Sequence, residues 1–155
     1  MKSSLWKNIR FPVGLWFEDT ILPFLINPSV KKYSSVSQIV YSYQINPSGI
    51  TLSSEGKPKS VDTLWVVEDI LKNENFRLTA STQSGILFQL TRRMSRVLLL
   101  DKEIRRATFD YSCYLVDRYL TIDLCNNYFD RLVFKIFVKK AYGSWNYMVR
   151  FRLSQ

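Results

Sequence analysis

Gln38-Ile39-Val40-Tyr41-Ser42-Tyr43-Gln44, followed by Asn46-Pro47-Ser48-Gly49, decides whether this fold contains a sheet. Its β-branched and aromatic residues alternate in part, which predicts a strand from about Ile39 to Gln44. The Asn-Pro-Ser-Gly run is a strong turn signal, and Ile50-Thr51-Leu52 can extend briefly beyond it as a second strand. Residues 53–59, with Gly56 and Pro58, read as a polar loop.

Downstream the period becomes helical. Ser60 is placed to cap a helix carrying Val61, Leu64, Trp65, Ile70 and Leu71 and ending near Asn73. Residues 79–100 form a second helix, broken only by a tolerable Gly85, with Ile86, Leu87, Leu90, Met94, Val97 and Leu98 on one stripe. Asp101 opens a third that runs to about Thr121. A fourth spans about Asn126 to Tyr142, Gly143 interrupts, and Trp145 to Leu153 continues as a short helix or a strand.

Upstream, residues 1–14 read as an amphipathic lead-in and a turn at Pro12 and Gly14. A short or bent helix is expected over about 18–26, because the Pro23 ring crowds the carbonyl of Asp19, and Asn27-Pro28-Ser29 ends it. The predicted class is therefore α+β. A mixed segment (1–60) of turn, short helix and one or two strands precedes a helical bundle (61–155), the two packed around one core.

The bulk properties narrow the chemistry. The 155 residues suit one domain, and a composition that is 46% hydrophobic and 15% aromatic argues against disorder. A formal charge of +9 points to an anionic neighbour. Histidine is absent, which removes Ser–His and Cys–His nucleophiles and most transition-metal sites. Cys113 and Cys125 read as buried free thiols in a reducing compartment. Residues 1–8 lack a signal-peptide core, and no window reaches about 18 uninterrupted apolar residues, so a cytoplasmic protein is expected, peripheral at most to the inner face of a membrane. There is no Walker-type loop, dinucleotide glycine pattern, Cys-x-x-Cys or Asp-x-Asp.

Two features carry chemistry. The first is Arg10-Phe11-Pro12-Val13-Gly14-Leu15-Trp16-Phe17-Glu18-Asp19, where two carboxylates enter an apolar run. They either complement the positive end of a short helix or line a cleft as catalytic base and partner. The second is basic. Arg92, Arg93, Arg96, Lys102, Arg105 and Arg106 cluster with only Asp101 and Glu103 against them, and from Arg131 to Gln155 there are six cations and no acid. A solvated helix face explains such clusters as well as a functional one. Interleaved with Phe134, Phe137, Tyr142, Trp145 and Phe151, the second cluster suits an anionic membrane surface, with nucleic acid as the lesser partner.

These motifs, in this order, resemble a known family. Asn8-Ile9-Arg10-Phe11-Pro12-Val13-Gly14, Phe17-Glu18-Asp19-Thr20, Tyr41-Ser42-Tyr43-Gln44 and Ser48-Gly49-Ile50-Thr51 look like the second half of a family 2 glycosyltransferase. These are inverting bacterial enzymes of the GT-A fold that build polysaccharides. The likeness covers roughly residues 5–70 and implies a partial GT-A fold. It also implies that Asp19 deprotonates the acceptor hydroxyl, that Glu18 orients the site, and that Trp16, Phe17, Tyr43, Gln44, Ser48 and Thr51 contact substrate. Position 44 is Gln where Arg is common. The family's nucleotide-binding half, with its metal-binding Asp-x-Asp, is not in this sequence. A magnesium or manganese ion would belong to the complete enzyme, and this chain alone is expected to bind no cofactor and transfer no sugar. Nucleotide sugar and glycan acceptor would be reached through that missing half, and self-association could cover apolar surface left exposed without it.

Overall fold

The computed structural model describes residues 6, 9–32, 34–35, 37–42, 44, 46, 49 and 56–150. Among them there is no strand, so the α+β and partial GT-A expectations are overturned: the described fold is a helical bundle. Ile39, Val40 and Tyr41 are 92%, 79% and 76% exposed and lie in irregular backbone. Local propensity supplied the residues of a strand, but β structure also needs a partner edge to take its N–H and C=O groups, and no described segment offers one. The proposed Ile50–Leu52 extension lies outside the described residues.

Among the described residues five α-helices form the body: α1 (Asp62–Lys72), α2 (Ala80–Gln89), α3 (Lys102–Tyr119), α4 (Tyr128–Val138) and α5 (Tyr142–Arg150). A 3-10 helix, Arg92–Leu99, joins α2 to α3. Helix α3 packs against α1, α4 and α5, and the 3-10 helix against α2 and α5. Their shared interior holds Phe109, Phe137 and Trp145, all with 0% exposure. The Phe109 ring lies 5.9 Å from Phe137 and 5.4 Å from Trp145, within the range of favourable aromatic pairing. The Trp145 indole N–H donates to the Leu90 carbonyl at 3.1 Å, so the largest core side chain is also satisfied as a donor.

Local chemistry sets the boundaries, in places against the sequence reading. Helix α2 opens on a capping box in which Thr79 and Thr82 exchange hydrogen bonds between side chain and backbone. The expected single helix over 79–100 divides at Thr91, whose φ of −122° and ψ of −73° leave the helical region. Ser60 does not cap α1: it sits inside a 3-10 turn, Pro58–Val61, with its hydroxyl buried and without a partner among the described residues. Gly143 lies within α5, and the chain turns instead at Lys140, where φ is +50°.

One buried side chain knits distant segments. The Gln83 amide donates from Nε2 to the Thr121 carbonyl at 2.7 Å and accepts the Thr121 N–H on Oε1 at 3.0 Å. It thus completes both backbone groups of a residue that follows the end of α3.

The N-terminal segment docks on this bundle as a series of tight turns. A 3-10 turn (Glu18–Thr20), a π-helical turn (Leu22–Ile26) and a second 3-10 turn (Asn27–Ser29) follow one another. Pro23 has no N–H to offer the Asp19 carbonyl, so a regular helix is not sustained and the chain widens around the ring. Ile21, Phe24, Leu25 and Ile26 are nevertheless buried in the same core as the bundle. The approach is close at Gly85: a Cβ built there would lie 2.8 Å from Phe24 Cε1. Gly85 is therefore the notch in α2 that receives the Phe24 ring.

Candidate functional site

The turn that carries Glu18 and Asp19 is held by a buried carboxylate. Asp62, in the first turn of α1, accepts the Trp16 backbone N–H on Oδ2 at 2.9 Å, and Lys59 Nζ lies 3.4 Å from the same oxygen. Lys59 also donates to the Gly14 carbonyl and stands 5.8 Å over the Trp16 ring. Gly14 adopts a φ of +79°, which glycine tolerates without steric cost. Phe17 adopts +65°, and for a bulky residue that conformation costs roughly 1–2 kcal/mol. The Arg96 guanidinium stands 4.8 Å over the Phe17 ring and offsets part of that cost.

Strain of this kind tends to collect where function needs a fixed geometry. Directly after Phe17 the chain opens onto a cleft of about 330 Å³. Its near wall is Phe17, Asp19, Thr20 and Pro23, and its far wall is Thr63, Gln89, Arg93 and Arg96. Asp19 is exposed at its mouth. A carboxylate, two guanidiniums, two hydroxyls and a primary amide thus face one space, with two rings for its apolar lining. Such a set can accept a proton, hold an oxyanion and hydrogen-bond a polyol.

Of the residues expected from the sequence, the structure brings Phe17 and Asp19 into the cleft. Glu18 is half-buried beside them and does not line it. Trp16 is half-buried in the Asp62–Lys59 clamp, where it supports the turn, not the cleft wall. Gln44 is exposed in irregular backbone and is not part of the cleft. Tyr43, Ser48 and Thr51 lie outside the described residues.

Arg93 and Arg96 were visible only as members of a basic cluster. Residues i and i+3 share a face at either helical period, so their common side was open to a sequence reading; what it could not show is that Phe17, Asp19 and Thr20 pack opposite that side. Thr63 and Gln89 carried no sequence signal, since each is an ordinary polar residue near a helix end.

The thiols and the phenol with displaced pKa values lie outside the cleft. Burial, with Asp110 beside it, pushes the Cys113 thiol up to about 11, and burial raises Cys125 against the opposing Gln83 hydrogen bond. Both cysteines are buried and free. Burial and a hydrogen bond with Glu68 push the Tyr111 phenol up to about 12. Among the described residues no three His, Cys, Asp or Glu side chains group as metal ligands. No described helix is long and apolar enough to cross a membrane. No protein-family model, no curated protein and no solved structure matches this chain.

Proposed function

We propose that the cleft is the acceptor side of a sugar-transfer site, with Asp19 as general base. The acceptor hydroxyl gives its proton to the Asp19 carboxylate as its oxygen attacks the anomeric carbon of a nucleotide sugar. The bond from that carbon to the diphosphate breaks as the new bond forms, and the diphosphate leaves with the electron pair. Arg93 and Arg96 hold the departing negative charge, and Thr20, Thr63 and Gln89 bind sugar hydroxyls. The observation that carries this reading is the convergence of one carboxylate and two guanidiniums on a single open cleft beside a strained backbone. A base alone would serve many reactions, whereas a base facing paired arginines suits a reaction that releases an anion. The assignment rests on the cleft and its residue types, since the described residues lack the sheet of a GT-A domain.

Inorganic pyrophosphate, which shares its oxyanions with every nucleotide diphosphate, tests the arginines directly. By calorimetric titration it is expected to bind the chain, to bind about tenfold more weakly to Arg93→Ala, and to bind more tightly to Asp19→Asn, which removes a repelling charge. Failure to bind, or indifference to both substitutions, overturns the assignment. When the chain is supplied with a donor-side half carrying Asp-x-Asp, Asp19→Asn should abolish transfer although it strengthens pyrophosphate binding. Transfer by the chain alone would show that the donor site had been misjudged.

A further inference from the structure

A second concavity lies away from Asp19, between α4 and α5, and it is apolar. Phe129, Leu132 and Ile136 on α4 face Gly143, Tyr147 and Met148 on α5 across an open trough of about 640 Å³. The α4 residues recur at three and four positions, so they form one stripe of that helix. Leu132 is 42% exposed and Tyr147 69%, an unusual surface for a helix pair that already buries Val133, Phe137, Trp145 and Val149 in the core. A smaller hollow carries the apolar surface on through Phe88, Phe129 and Met148 to Arg92.

The exposed charged side chains that these two helices carry are all cationic. Lys135 is exposed on α4, Lys139 is exposed just past its end, and Arg150 is exposed at the end of α5, while Arg131, one turn before Lys135, donates from Nε to the Cys125 carbonyl at 3.0 Å. Asp130, the last acid before this region, is buried and accepts from the Asn127 amide at 2.9 Å, so it is not among the exposed charges of α4. From Arg131 onward the sequence has no acid at all. An apolar trough with a basic border and exposed Tyr128 and Tyr147 matches the layered chemistry of an anionic bilayer surface. Acyl chains accept the Leu, Ile and Met side chains, tyrosines sit at headgroup depth, and lysine stems reach lipid phosphates. A second copy of the chain would set one basic rim against another, and a phosphate backbone would leave Leu132, Ile136 and Met148 with nothing apolar to meet.

We infer that the α4–α5 face docks the protein on an anionic membrane surface, independently of the cleft at Asp19. The full chain should therefore sediment with phosphatidylcholine vesicles that contain phosphatidylserine, remain in solution with phosphatidylcholine alone, and be released by high salt. Lys135→Glu with Lys139→Glu should lower partitioning at least about tenfold, and Leu132→Ser should lower it several-fold. Lys31→Glu with Lys32→Glu removes the same charge from exposed positions elsewhere and should change partitioning little. Circular dichroism confirms that each variant is folded. Equal losses from the two charge-reversed pairs would overturn the inference, because net charge would then explain binding. So would binding to neutral vesicles alone, no vesicle binding, tighter retention by duplex DNA, or a dimer in light scattering that Leu132→Ser splits.

Discussion

Residues 9–32 and residues 62–150 share one core but are built by different means. The bundle uses regular helices, a capping box and a cluster of large rings whose burial dominates its stability. The N-terminal segment uses 3-10 and π turns, a left-handed phenylalanine and a polar clamp at Asp62. Four buried side chains from Ile21 to Ile26 anchor it, while the residues before them face a cleft. Regular structure thus supplies the foundation, and the irregular segment holds reactive groups at an angle that no continuous helix would give.

Substitutions can break this contrast in graded steps. Trp145→Ala should cost about 3–5 kcal/mol, by lost burial and an orphaned Leu90 carbonyl, and should loosen both regions together in a denaturant melt. Gly85→Ala should cost about 1–3 kcal/mol by pressing on the Phe24 ring. Phe24→Leu combined with it should recover part of that loss, a coupling that a double-mutant cycle measures.

The bundle also has a pH signature of its own. Cys113 holds its proton to about 11 when folded, whereas the unfolded thiol ionises near 8.5–9, so the native state binds the extra proton in between. Stability should therefore fall as pH rises from about 9 to about 11, by up to about 1.4 kcal/mol per pH unit from this group. Cys113→Ser should flatten that slope in melts across the range.

Asp62→Asn should cost only about 1 kcal/mol globally, yet it should open residues 9–32 to limited proteolysis and weaken pyrophosphate binding. The smallest effect is expected at Phe17→Gly. Relief of the left-handed strain opposes the lost contact with Arg96 and the freer unfolded chain, which leaves stability within about 0.5 kcal/mol.

Much of the bundle was legible in the sequence because its helices carry buried stripes, as at Ile86, Leu87 and Leu90 or Val133 and Phe137. The boundaries were less so. Thr91 and Lys140 turn the chain without Gly or Pro, and Gly143 sits harmlessly inside a helix, so the usual punctuation pointed to the wrong residues. The strand at Ile39–Gln44 failed because propensity is local while pairing is not. In the cleft, Asp19 and Phe17 stood out by type and neighbourhood. Arg93 and Arg96 did not, because what sets them opposite Asp19 is the docking of the N-terminal turns, a long-range contact that no local period reports.

The Gln83 side chain has a consequence for solvent exchange. Thr121 lies past the last turn of α3, where an amide proton would ordinarily trade with deuterium within seconds of dilution. Held on the Gln83 carbonyl inside the bundle, it can exchange only when α2 and the end of α3 separate. A single loop amide should therefore carry the protection of the core, and its exchange rate reports the opening of that helix contact residue by residue.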